Sequence, residues 1–138
     1  MADNRNADVL RRIISYCREI EETIRRFGKD YTVFAQDSVY RNATALCVMQ
    51  IGELTTHLTN DFKQTYTGMP WTQIKALRNV VAHSYGKIDV ESLWETITID
   101  IPKLKDYCSD IIQQFDVLTQ ESANDPEDEQ KIPGISMD

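Results

Sequence analysis

Between Leu10 and Phe27, apolar residues recur at alternating steps of three and four without a miss: Leu10, Ile13, Cys17, Ile20, Ile24 and Phe27. A strand would send successive side chains to opposite faces, whereas a helix turning every 3.6 residues lines all six along one stripe. The stripe needs a partner to exclude water, so the chain must fold as helix against helix. Arg11, Arg12, Arg18, Glu19, Glu21, Glu22, Arg25 and Arg26 take the other faces and read as a solvated surface of mixed charge. The pattern predicts a first helix from about Asn6 to Phe27, stopped at Gly28.

The same period returns along the chain. Asp30 opens a turn, and a second helix follows to about Asp61, starting between Asp30 and Asp37 and carrying Ala43, Cys47, Ile51, Leu54 and Leu58. Gly52 inside it costs about 1 kcal/mol relative to Ala, which marks a close helix–helix approach. Phe62 to Met69 is polar, contains Gly68 and reads as a loop. A third helix opens at Pro70, which suits a first helical position. A last helix opens at Asp89 and buries Val90, Leu93, Trp94, Ile97, Ile101, Leu104, Cys108, Ile111 and Phe115. Pro102 lacks the N–H owed to Thr98 and should kink that helix nearby. Thr96 to Ile99 is rich in β-branched residues, but the longer period favours helix there too. The expectation is an all-α, antiparallel four-to-five-helix bundle occupying residues 1–117.

Leu118 to Asp138 holds six acids and the single base Lys131, with two prolines and no periodicity. It reads as an acidic disordered tail, residues 118–138. Most of the net charge of −7 resides there, so the body is near neutral. That balance argues against broad, sequence-blind binding to phosphate backbones, yet leaves room for a local cationic cleft. The N-terminus lacks the apolar core of a signal peptide, and no apolar run approaches the roughly 20 residues that span a bilayer. Cys17, Cys47 and Cys108 are far apart and sit at apolar helical positions, as buried reduced thiols of a cytoplasmic protein would. His57 has no metal-ligand companion at helical spacing and reads as a surface histidine. Trp71 reads as a hydrophobic anchor.

The residues whose spacing suggests chemistry fall in the third helix. On a wheel of about 100° per residue with Ile74 at zero, Leu77 and Val81 lie within about 60° and define the core stripe. Asn79 falls about 140° away and His83 about 180° away, one turn apart on the opposite face. Arg78 and Tyr85 lie on the edge, about 40° and 20° from the core centre, and Lys75 and Lys87 are close by in sequence. A second subunit packed on this outer face would bring two copies of Asn79 and His83 into one cleft, with Arg78 reaching in from the edge.

Arg78, Asn79, three residues, His83, Ser84 and Tyr85 resemble the Arg-x4-His-x-Tyr signature of HepT-type HEPN-domain toxins. Ile51-Gly52-Glu53, Pro70-Trp71 with Ile74, and Trp94 with Ile101-Pro102-Lys103-Leu104 match further short motifs of that family, in order, so the similarity spans about Asp8 to Phe115. The resemblance implies a HEPN-like bundle, a two-fold homodimer and an RNA endonuclease toxin of a toxin–antitoxin system, acting on tRNA or mRNA. It implies a partner, an MNT-type nucleotidyltransferase antitoxin, that attaches AMP to Tyr85, adding bulk and negative charge beside Arg78.

The residue chemistry fits a nuclease. His83, with an ordinary pKa near 6.5, suits proton transfer at neutral pH. Arg78 presents a permanently charged fork of donors to phosphate oxygens. Asn79 could orient the His83 ring or bond a phosphate oxygen. Glu53 reads equally as an exposed glutamate and as a carboxylate holding Arg78. No acidic metal cluster adjoins the motif, so the expected cleavage is metal-independent and cofactor-free, leaving a 2′,3′-cyclic phosphate or 3′-phosphate and a 5′-OH. On spacing alone, Arg78 and His83 are ordinary polar residues near a helix end, and it is the family resemblance that reverses that reading. The competing class is a non-catalytic HEPN interaction module paired with a nucleotidyltransferase.

Overall fold

The computed structural model describes residues 2–83 and 89–123, with side chains from 4 to 79 and from 89 to 118. Among the described residues there is no strand, and the fold is an antiparallel helical bundle. Helix α1 (Ala2–Phe27) begins four residues before the expected start. Its stripe is the core of the molecule, with Leu10, Ile13, Cys17 and Ile20 fully buried. Gly28 ends α1 with a φ of 105°, a left-handed conformation that costs glycine little, and its N–H returns to the Ile24 carbonyl at 2.7 Å.

The single second helix expected up to Asp61 is two helices and the start of a third. Helix α2 (Tyr31–Gln36) is capped by Asp30, whose carboxylate accepts from the Thr32 and Val33 N–H groups. Asp37 then adopts extended backbone and caps α3 (Ser38–Thr55) by accepting from Val39 and Tyr40. Both candidate starts are therefore real starts, each with its own acidic cap. Helix α3 stops at Thr55, where the Thr55 and Thr56 hydroxyls turn back onto the Gly52 and Glu53 carbonyls at 2.8 and 2.7 Å. Such back-bonding threonines compete with the helix ladder.

The stretch expected to be a loop instead holds α4 (Asn60–Thr65), capped by the Thr59 hydroxyl and anchored by buried Phe62. Asn6, expected at a helix start, lies buried inside α1 and clamps this corner: its side chain donates to the Thr59 hydroxyl and accepts from the Thr59 N–H, both at 3.1 Å.

Helix α5 (Trp71–His83) begins one residue after Pro70, whose carbonyl accepts the Ile74 N–H. Trp71 is the buried anchor expected, and its indole N–H donates to the Tyr66 carbonyl at 2.6 Å. The final rod comprises α6 (Val90–Glu95), capped by Asp89, a wide π turn at Thr96–Asp100, and α7 (Ile101–Ala123). The expected kink near Thr98 takes the form of that π turn. Ile101 donates to the Thr96 carbonyl, five residues back, and the helix is widened where Pro102 has no N–H to offer. The boundary drawn at Leu118 falls inside α7; residues 124–138 lie outside the described residues.

Helix directions follow from the cross-bundle contacts. Going backwards along α1, Gly28, Glu19 and Asn6 meet Tyr40, Cys47 and Thr59 in turn, so α1 and α3 run antiparallel. Likewise Glu21 meets Lys105 and Arg11 meets Asp116, which sets α7 antiparallel to α1. Helix α3 packs on both α1 and α5. Phe27, Phe34, Tyr40 and Trp94 close one end of the bundle through ring contacts near 5–6 Å, and Phe62, Tyr66, Trp71 and Tyr107 close another corner.

Candidate active site on α3 and α5

The site face is fixed where α5 crosses α3. Gly52 is buried, and a Cβ placed on it would lie 2.6 Å from the Arg78 amide nitrogen and 3.1 Å from the Ile74 carbonyl oxygen. The close approach that a mid-helix glycine suggested is therefore a backbone-to-backbone contact, made at Arg78 itself. Glu53 follows Gly52 and points past that contact. Its Oε1 lies 3.4 Å from Arg78 Nη1, so Glu53 is at once an exposed glutamate and a neighbour of the Arg78 guanidinium. The pair is about half in solvent, with side-chain exposures of 51% for Glu53 and 36% for Arg78, so its value is orientation more than stability. The guanidinium keeps further donors for another acceptor.

His57, an exposed histidine as expected, sits one turn after Glu53 with Nε2 3.8 Å from Glu53 Oε2. The carboxylate thus lies between an arginine and a histidine, an arrangement its four-residue spacing from His57 could have signalled. Asn79 is exposed on α5, next to Arg78. His83 is the last residue of α5, one turn beyond Asn79, and its side chain lies outside the described residues. Tyr85 lies outside them altogether.

Lys63 of α4 is half-buried and close enough to exposed Lys75 of α5 to feel its charge; burial first, and that neighbour second, push the Lys63 ammonium below its ordinary value.

The three thiols offer no rival chemistry. Cys17, Cys47 and Cys108 are buried and unpaired, and burial drives Cys17 and Cys47 up to about 12, leaving neutral thiols where a nucleophile needs a thiolate. Among the described residues, no group of three His, Cys, Asp or Glu side chains could hold a metal ion, and no helix is long and apolar enough to cross a membrane.

Comparison with known proteins shows the family. The sequence model of the family described as "Ribonuclease HepT-like" matches residues 13–111. A protein of Methanocaldococcus jannaschii provisionally named an RNase is 34% identical over 76 residues, 55% of this chain and 70% of the relative. One of Thermococcus cleftensis, named "Probable ribonuclease HepT", is 33% identical over 89 residues, 63% of this chain and 81% of the relative. Another provisionally named RNase, from Caldanaerobacter subterraneus, is 28% identical over 105 residues, 76% of this chain and 92% of the relative. No solved structure matches at a significant level. With most of the bundle from α1 to α7 inside the matched range, the chain belongs to the HepT-like ribonuclease family.

Proposed function

We propose that this chain is a metal-independent RNA endonuclease toxin, with Arg78 and His83 as its catalytic residues and Asn79 and Glu53 in support. The observation that carries the reading is the Gly52 contact: it fixes the backbone of Arg78 against α3 and leaves Glu53 to orient the guanidinium, less than two turns from His83 on the same helix. In this scheme the His83 imidazole takes the proton of a ribose 2′-OH. The 2′-oxygen attacks the adjacent phosphorus, and the 5′-oxygen of the next nucleotide leaves and is protonated. The products are a 2′,3′-cyclic phosphate and a 5′-OH. Arg78 stabilises the charge gathering on the non-bridging oxygens.

A homodimer completes the site in this reading. Helix α3 leaves Val39 64% and Leu46 53% exposed on the surface that also carries Glu53, and an apolar stripe beside a catalytic edge is what a second copy would cover. Tyr85, two positions past His83, is the proposed point at which an MNT-type nucleotidyltransferase antitoxin adds AMP, placing phosphate charge where the RNA must enter.

Expression of the chain alone in a bacterial host is expected to arrest growth and to raise cellular RNA carrying 5′-OH ends, with cleavage in vitro surviving EDTA. Arg78→Ala and His83→Ala should relieve the arrest while circular dichroism stays unchanged. A harmless wild type that generates no new 5′-OH ends would replace this reading with the non-catalytic interaction module. For Tyr85, intact mass after incubation with the transferase and ATP should rise by one AMP, and Tyr85→Phe should abolish the rise.

A further inference from the structure

We infer that His57 is a further positioning residue of the candidate site, one that sets the net charge the Arg78–Glu53 pair offers to an RNA phosphate. The inference rests on the nuclease reading for its substrate, and it names a residue which that reading leaves out.

Glu53 turns its two carboxylate oxygens to two different cations. Oε1 lies 3.4 Å from Arg78 Nη1, and Oε2 lies 3.8 Å from His57 Nε2. Arg78 reaches the carboxylate from α5 and His57 from the turn after α3. Among the described residues, these two are the cations in ion-pair reach of Glu53, and Glu53 is the carboxylate in reach of His57. Asp61 of α4, the next acid along the chain, pairs with neither. The backbone beneath the imidazole is fixed: the His57 N–H donates to the Leu54 carbonyl at 3.0 Å, and the neighbouring Leu58 side chain is buried. The ring itself is half in solvent, as is Glu53, so a substrate can approach the group.

The 3.8 Å separation makes the contact depend on charge. It is beyond hydrogen-bond reach, so a neutral imidazole gives the carboxylate little, whereas a protonated one forms an ion pair with it. With His57 neutral, Arg78 and Glu53 cancel. With His57 protonated, the three groups together carry one positive charge, and Glu53 is shared between two cations. The Arg78 guanidinium is then less fully compensated and better able to meet a phosphate, while Oε1 still holds its aim.

The test uses the full chain carrying His83→Ala, so that RNA is bound and not consumed. The chain has two histidines, so this variant leaves His57 as its one imidazole. Affinity for a labelled single-stranded RNA of about 12 nucleotides is followed by fluorescence anisotropy against salt, at about pH 5.5 and about pH 7.5, a window in which imidazoles change charge. Each phosphate neutralised adds about 0.7 to the slope of log Kd against log salt for single strands. The slope should be steeper by about 0.7 at the lower pH, so the gain from acidification should shrink about 2.6-fold between about 50 and 200 mM salt. His57→Gln should show the shallow slope at both pH values, and His57→Arg the steep slope at both. Adding Glu53→Gln instead leaves Arg78 uncompensated at either pH, so the slope should no longer respond to pH although His57 is present.

Equal slopes at the two pH values in the His83→Ala chain, or a difference that survives His57→Gln, overturn the inference even where the wild type cleaves RNA. A difference that survives Glu53→Gln overturns the positioning role, because His57 would then meet the phosphate itself. The expected pattern in a chain that never cleaves RNA sustains the inference and sinks the nuclease reading. Absence of RNA binding at every salt concentration and both pH values removes both.

Discussion

Replacing Gly52 with Ala tests the contact on which the geometry of the proposed active site depends. The new Cβ would sit 2.6 Å from the Arg78 nitrogen, whereas ordinary contacts begin near 3.4 Å, so α3 and α5 must part by about 0.8 Å. The opposing atoms are backbone, and no flexible side chain can swing aside. Overpacking of this kind costs about 1–3 kcal/mol. Against it stands the helix propensity of Ala, which favours the variant by up to about 1 kcal/mol. The net expectation is a loss of about 1 kcal/mol or somewhat more, which for a chain of this length lowers Tm by about 4 °C per kcal/mol.

Catalysis should suffer more than stability. A shift of this size moves Arg78 relative to Glu53, and misplacement near 1 Å costs on the order of a hundredfold in rate. Thermal melts by circular dichroism and single-turnover RNA cleavage measure the two effects. A Tm that rises, as for an exposed helical glycine, or a melting loss with full activity, would refute the reasoning.

Glu53→Gln removes the charge from a half-exposed pair, so stability should change by less than about 1 kcal/mol, while RNA cleavage falls clearly; equal activity in both proteins would show that Arg78 needs no such partner. Cys17, Cys47 and Cys108 should resist thiol reagents at pH 8 in the native protein and react at once in denaturant, because burial keeps them protonated; rapid native labelling would contradict their placement. Arg25 and Arg26 hold Glu22 at about 2 in the folded chain, below its ordinary 4.5. A depressed folded-state value gives stability that is present above 4.5 and lost as pH falls towards 2. Urea midpoints measured across that window should fall less steeply in Glu22→Gln than in the wild type, and parallel curves would refute the linkage.

The helices that bury one continuous stripe were legible in the sequence, because the period that forms them is the period that buries them. Leu10 through Ile20 on α1 and Ile101 through Ile111 on α7 are such cases. Breaks decided by single polar side chains were not. Asp30 and Asp37 each looked like a start, and nothing in the period says that a chain can use both within seven residues. Thr55 and Thr56 sit in a stretch that still carries apolar spacing out to Leu58, so the stripe outlasts the helix. In the site, Gly52 was readable because a glycine in mid-helix needs a reason, and Glu53 was ambiguous because one helical step separates exposed from inward.

Adjacent placement of Gly52 and Glu53 has a mechanical consequence. One turn of α3 both sets the distance to α5 and supplies the carboxylate that aims Arg78, so the depth of helix packing and the aim of the guanidinium cannot vary independently. Asn79 and Lys75 lie on the exposed part of α5, away from that seam. Changes there leave the α3–α5 distance alone, and so bear on what the site binds without bearing on whether the bundle holds. The fold thereby divides the labour along a single helix. Its inner edge, at Ile74 and Arg78, is tied to the core through Gly52, and its outer face is exposed, where the proposed function would place substrate and a second copy of the chain.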